Sequence, residues 1–259
     1  MELFGLTTPE VQKFFIVFIR LATILLVIPF YGEYGVPIQL KLGLALLLAV
    51  LITPLVGAEN GNLMIESLWG FTLAVVQGIL AGLLIGFVPL LLFAGVQLGG
   101  EISGFQMGFG IVNVMDPLSE SSISLIAQFD YIISILIFIT MNGHLYLLDG
   151  VVKSFQVLPL MGGSIPQLLG NSLIRLSSEM FIIGLKIAAP ILVAIMLTNV
   201  GLGILARTMP QMNIFIVGFP VQIGIGLITL GMSIPVFVHI FEKAFFKFYQ
   251  EWLAVIKAL

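Results

Sequence analysis

The sequence predicts an all-α integral membrane protein of about six apolar, kinked helical segments, and three observations predict it. Hydrophobic residues make up 59% of the 259 and charged residues only 9%, against roughly 25% charged in a soluble domain. The apolar runs are long enough to cross a bilayer, which takes about 20 residues in a helix. Proline and glycine recur inside those runs, at Pro89, Pro190, Pro220 and Pro235 among others, where a missing helical hydrogen bond predicts kinks or breaks.

In chain order the segments are Phe14 to Phe30, Leu40 to Val56, Leu68 to Gln97, Ile123 to Asn142, Ile182 to Ala206 and Ile214 to Phe241. The start carries Glu2 and Glu10 where a secretory leader carries bases, so the first segment is expected to stay in the mature chain. Arg20 lies inside it, and a charge at that depth is costly enough to mark either a partner contact or a snorkelling side chain. The third segment belongs to a stretch of 34 residues, Ser67 to Gly100, without one charged side chain. As a straight helix it would be about 50 Å long against a hydrocarbon core of about 30 Å, so a kink or break near Pro89 is expected. Gly78, Gly82 and Gly86 stand four apart along it, a small-residue stripe that lets a second helix come close, from this chain or from another subunit.

The stretch is followed by a polar, glycine-rich interruption from Gly99 to Pro117. Irregular backbone in an apolar setting must be covered by protein or line an aqueous path, because each unpaired peptide group in hydrocarbon costs several kcal/mol. That points to a channel or transporter part. In the C-terminal region, Arg207 opens a turn, Arg207-Thr-Met-Pro-Gln-Met-Asn213, dividing a helical hairpin. Pro210 and Asn213 fit turn chemistry, while Gln211 and Asn213 present amides to a neighbour. Lys243, Lys247 and Lys257 favour a cytoplasmic C-terminus under the positive-inside rule.

Several classes are excluded or disfavoured. A net charge of −3 without a basic cluster leaves no footprint for nucleic acid. With no cysteine, disulfide frameworks, iron–sulfur clusters and thiolate zinc sites are out. His144 and His239 are the two histidines, in no metalloprotease arrangement, and neither a phosphate loop nor a nucleophile elbow is present. Asp130 and Asp149 could form an intramembrane acid pair, but Asp149 beside Gly150 is better explained as a solvated carboxylate. No catalytic residue, metal or cofactor is expected.

Ile19-Arg20, Pro29-Phe-Tyr-Gly32, Val36-Pro37 and Lys41-Leu-Gly-Leu-Ala45 come first, followed by Gln106-Met-Gly108, Asp116-Pro117, Asn142-Gly-His144, Ser154-Phe155 and Leu158-Pro159. Ala188-Ala-Pro190, Gly203, Arg207, Pro210-Gln-Met-Asn-Ile-Phe215 and Gly218-Phe-Pro220 complete the series. In this order and spacing they resemble the FliR family of the flagellar type III export gate over nearly the whole chain. A departure is Gln222, where many members are expected to carry a basic residue.

The resemblance implies a bacterial inner-membrane subunit of the flagellar basal body. One copy assembles with FliP-like and FliQ-like subunits around a channel for unfolded flagellar proteins, with a FlhB-like protein at its cytoplasmic mouth. It implies a FliP-like part over residues 1–180, with a plug loop at about 100–120, and a FliQ-like hairpin and tail over 181–259. On that template Phe105, Gln106, Met107, Gly108, Phe109, Gly110, Ile111, Val114, Met115, Asp116 and Pro117 form the plug. Arg20, Gly78, Gly82, Gly86, Arg207, Pro210, Gln211 and Asn213 meet partner subunits, and the remaining apolar surface meets lipid. A homologous injectisome gate and a small-molecule transporter with broken helices stay open as alternatives.

Overall fold

The computed structural model describes residues 8–28, 37–56, 67–110, 124–157, 168–211 and 213–258. Those residues form seven helices: α1 Thr8–Val27, α2 Ile38–Ile52, α3 Leu68–Gln106, α4 Leu125–Thr140, α5 Gly143–Val157, α6 Leu168–Thr208 and α7 Ile214–Ala258. The all-α class is as expected. Three helices, α3, α6 and α7, are long and apolar enough to cross a membrane, or four spans if the bent pair α4 and α5 counts as one.

The helices begin and end where local chemistry dictates. Pro9 sits in the first turn of α1, where a missing N–H leaves no bond unmade, and Glu10 in the same turn faces the positive end of the helix dipole. α2 starts directly after Pro37 in an extended conformation, as a residue that cannot continue a preceding helix should. α4 stops at Met141, and Asn142 takes a left-handed φ of 58°, a conformation that asparagine tolerates better than most residues. α5 is the helix that an apolar-run count misses. Its buried side is Leu147, Gly150, Val151, Ser154 and Phe155, while Asp149 and Lys153 face out, so it is amphipathic and not uniformly apolar.

For the third segment, the alternative of a break at Pro89 and the expectation of irregular chain from Gly99 are corrected. α3 runs unbroken from Leu68 through Pro89 to Gln106, so the chain neither breaks at Pro89 nor turns irregular at Gly99. The length limit applies to a helix clad in lipid, and 61% of the apolar window of α3 is buried inside the protein. α6 and α7 likewise carry Pro190, Pro220 and Pro235 within continuous helices.

Contacts divide the chain into two units, residues 1–91 with 142–176 and 247–259, and residues 92–141 with 177–246. In the first, α1 packs against α2 and lies along the α3 stripe. A Cβ on Gly82 would stand 2.8 Å from Thr23 and 2.9 Å from the Arg20 carbonyl, and one on Gly86 would stand 2.8 Å from Val27. The stripe therefore accommodates a helix of the same chain. Arg20 is 1% exposed, its guanidinium 4.9 Å from the centre of the Phe155 ring, a cation–π arrangement.

Pro89 has no N–H to give the carbonyl four residues earlier, that of Ile85. The indole Nε1 of Trp252 donates to that carbonyl at 2.7 Å, so an aromatic side chain from α7 replaces the missing helical bond. Its ring is 1% exposed and fits because residue 150 is glycine, where a Cβ would approach the indole to 2.1 Å. At the rim of this unit Lys153 pairs with Asp149 at 2.6 Å and the Tyr249 hydroxyl donates to the same carboxylate at 2.8 Å. Arg175 pairs with Glu251.

In the second unit the helices again approach through glycine. A Cβ on Gly95 or Gly99 would stand 2.8 Å from the carbonyl of Met180 or Gly184 of α6, and one on Gly184 would stand 2.9 Å from the Gly95 carbonyl. On the α4 side, Gly100 would clash with the Ala127 backbone at 2.4 Å. Below these contacts Phe93 makes edge-to-face contacts with Tyr131, Phe138 and Phe241, ring centres 5.6–5.8 Å apart. Ser103 and Ser134 are buried, and each donates to a carbonyl of its own helix, at 2.8 and 2.7 Å.

Trp252→Phe removes the donor to Ile85 and should destabilise the chain by about 1–3 kcal/mol, the cost of an unpaired buried carbonyl. In a Pro89→Ala background the helix supplies its own N–H, and the same substitution should cost clearly less. Thermal unfolding of the four proteins in one detergent checks this, and equal losses in both backgrounds would refute the pairing.

Candidate functional site

The site lies within the second unit, where α3 ends. The Met107 N–H still reaches the Ser103 carbonyl at 3.0 Å, but the Phe109 N–H turns back to Gly104 at 3.0 Å and that of Gly108 to Phe105 at 3.1 Å. Gly108 has a φ of 96°. This crossed pair of bonds, with a left-handed residue just past the helix, is the Schellman ending, and glycine is the residue that adopts it without strain. A side chain there would also stand 3.0 Å from the Phe219 ring of α7.

The ending sorts neighbouring side chains into opposite surroundings. Met107 is fully buried, in a cluster with Ile126 of α4, Ile191 and Ile195 of α6 and Leu230 of α7, with Phe109 packed against it. Its seat is the bare backbone of Gly226, where a Cβ would come within 2.5 Å of the Met107 Cγ and 2.6 Å of its Cε. An unbranched thioether suits such an irregular hole. Phe105 is 74% exposed. Gly110 folds back over it, so close that a Cβ would lie 2.8 Å from the ring.

Of the expected plug, then, Phe105 and Gln106 belong to the last turn of α3, Met107 is set in the core, and Gly108 to Gly110 form the bend. Ile111, Val114, Met115, Asp116 and Pro117 lie outside the described residues. Glu101 is exposed. On the far side of the bend, Ser124 precedes α4, and its Oγ is buried without a hydrogen-bond partner. A Cβ on Gly104 would lie 2.1 Å from that Oγ, so Gly104 is the residue that lets the chain return this close to α3.

α6 and α7 meet beside this ending. The Gln222 amide donates to the Asn199 Oδ1 at 2.5 Å. A groove of about 310 Å³ opens between the two helices, walled by Leu202, Gly203, Ala206, Gly218 and Phe219. Asn199 and Gly226 escape a sequence reading, since each gains its partner only from the crossing of these helices. Gln222 was visible only as a departure from an expected base, and its uncharged amide is what pairs with Asn199.

The hairpin turn is where the sequence places it. The helix runs through Arg207 to Thr208, Met209 N–H still reaches the Leu205 carbonyl at 2.8 Å, and α7 starts at Ile214. Arg207, Pro210, Gln211 and Asn213 are all exposed. The helices leading away from the turn carry exposed apolar side chains, among them Met196, Leu197, Ile204, Ile216, Ile228 and Met232. Only 17% of the apolar window of α7 is buried by this chain. A surface of that kind is stable only against lipid or other protein.

The absence of native cysteine makes the Met107 seat easy to test. Met107→Cys should resist a water-soluble maleimide while Phe105→Cys reacts readily. Adding Gly226→Leu, which fills the seat, should raise labelling at position 107 by about tenfold or more, the effect of lost burial at a close-packed position. Equal labelling at 105 and 107 would contradict the two environments.

Residues 11–248 match the family described as "Bacterial export proteins, family 1". The "Flagellar biosynthetic protein FliR" of Pectobacterium carotovorum subsp. carotovorum is 31% identical over 240 residues, covering 91% of this chain and 90% of that protein. The protein of the same name from Bacillus subtilis (strain 168) is 33% identical, covering 90% of each chain. That from Escherichia coli (strain K12) is 31% identical, covering 93% of this chain and 91% of the relative.

Proposed function

The chain belongs to the bacterial export proteins of family 1, and from that premise we propose that it works as a subunit of the protein-conducting gate of the flagellar type III export apparatus. The observation that carries this reading is the reach of the family match, which takes in the whole ending of α3, all of α6 and α7 as far as residue 248. With FliR proteins matched over about nine-tenths of their length, the function extends to the chain as a whole. It is a membrane-embedded flagellar component, and its membrane is the bacterial inner membrane.

In this reading residues 1–180 are the FliP-like part and 181–259 the FliQ-like hairpin. One copy closes a ring of FliP-like and FliQ-like subunits, a FlhB-like protein sits at the mouth, and unfolded flagellar proteins pass through. The exposed apolar sides of α6 and α7 support it, because a lone chain leaves that surface uncovered. Arg207, Pro210, Gln211 and Asn213 are the polar tip against which a neighbour registers, with Arg20 and the Gly78, Gly82 and Gly86 stripe holding the FliP-like part in shape.

The ending of α3 gives the plug a mechanical basis. A seal has to be movable and yet return to one place. Met107 in its Gly226 seat is the fixed point, the Gly108 bend is the pivot, and Phe105, Phe109 and the apolar residues from Ile111 to Met115 are the bulk that fills the channel. Gating is then a shift between seated and displaced populations, biased by whatever binds the open state better.

Expression of the chain in a strain lacking its own copy should restore swimming and release of flagellar proteins into the medium, and failure with normal membrane insertion would remove the assignment. Arg207→Ala should cut recovery of partner subunits in co-purification by about threefold to fivefold, the weight of one partly screened charge contact, with little change in the level of the chain itself. Deleting residues 111–116 spares the Met107 seat. It should leave assembly intact but raise ion leakage through the resting gate, and an unchanged resting conductance would dismiss the plug.

A further inference from the structure

At the end of the first unit where α1 begins and α2 finishes, a cleft of about 490 Å³ is lined by Glu10, Val11, Lys13 and Phe14 of α1 and by Val50, Thr53 and Pro54 at the end of α2. Its volume is that of a small-ligand site. Its walls are apolar, and its two charges are of opposite sign. Lys13 is half-buried, with one ammonium proton given to the Val56 carbonyl, which ties α1 to the end of α2 and leaves two protons for other acceptors. Glu10 is exposed at the mouth.

The cleft opens onto an unusual helix face. α2 buries Lys41, Ala45, Ala49 and Ile52 and turns its large side chains outward, with Leu46, Leu47, Val50 and Leu51 each more than half exposed. The pattern inverts that of a water-soluble helix. An apolar face of this kind, ending in a pocket with one cation and one anion, has the chemistry of the boundary between acyl chains and headgroups, where long basic side chains reach for the polar layer.

We propose that this cleft binds the headgroup of a zwitterionic phospholipid bearing a primary amine, phosphatidylethanolamine, with its acyl chains along the outward leucines of α2. Lys13 meets the phosphate as a charge-assisted donor, and Glu10 accepts from the ammonium. The paired charges select among lipids. An anionic headgroup gains Lys13 but faces Glu10, and a choline headgroup offers Glu10 no N–H. The site is independent of the proposed export role, since it rests on α1 and α2 alone.

Native mass spectrometry of the full chain released from bicelles tests this, with phosphatidylethanolamine, phosphatidylcholine or phosphatidylglycerol as the added lipid at equal mole fraction. Wild type should retain one phosphatidylethanolamine in about threefold to fivefold excess over either alternative, the weight of one exposed charge contact. Glu10→Gln should bring that excess down to the phosphatidylcholine level. Val50→Trp fills the cleft without touching either charge and should abolish the selective adduct while leaving tryptophan-monitored unfolding of the chain intact. Equal retention of the three lipids by wild type, or selective retention unchanged in Val50→Trp, would overturn the site, as would selection of phosphatidylglycerol.

Discussion

The hydrogen bond from Trp252 to the Ile85 carbonyl is the interaction on which the first unit turns. A proline inside a helix leaves one carbonyl without its N–H, and in an apolar interior no water is at hand to take its place. By donating an indole N–H at 2.7 Å, the far end of α7 lets α3 stay helical through Pro89. α3 in turn carries the glycine stripe against α1. The bond needs room, and Gly150 provides it: any larger residue would occupy the space of the indole. Trp252, Gly150 and Pro89 thus form one device whose members are distant in sequence.

Close approach through glycine is the second constraint, and it extends from packing to function. Gly95, Gly99 and Gly184 bring backbones together where dispersion and weak polar contacts replace a hydrophobic drive that lipid cannot supply. Towards the end of α3 the same economy of side chains has other uses. Gly104 admits the return of the chain at Ser124, Gly108 ends the helix in a left-handed conformation, and Gly226 opens the seat for Met107. A run of small residues that packs helices becomes, within two turns, a joint with one fixed point and one pivot.

Much of this was legible in the sequence. Composition and run length predict an all-α membrane protein, and the Arg207 to Asn213 turn falls where its proline, asparagine and lone charge place it. The ordered residues of the family resemblance point to the family that the match over residues 11–248 establishes. Other elements were not legible, for identifiable reasons. α5 is amphipathic and hides from a search for apolar runs. That α3 continues through Pro89 without a break was not legible because the replacement donor lies 163 positions away in the chain (252 − 89), beyond any local rule. The interruption expected from Gly99 starts only at Met107, since Gly99 to Gly104 are held helical by neighbours that need their bareness.

Chemical kind and fold class, then, belong to the sequence, because the balance of apolar and charged residues and the periodic placing of glycine and proline act locally and by sum. The fate of individual side chains belongs to the tertiary structure. Phe105 and Met107 stand two residues apart in the same apolar, glycine-rich run, and nothing in that run separates them. One is exposed and the other sealed, because burial is decided by what the crossing helices bring to each position, and only at Met107 does α7 present a glycine.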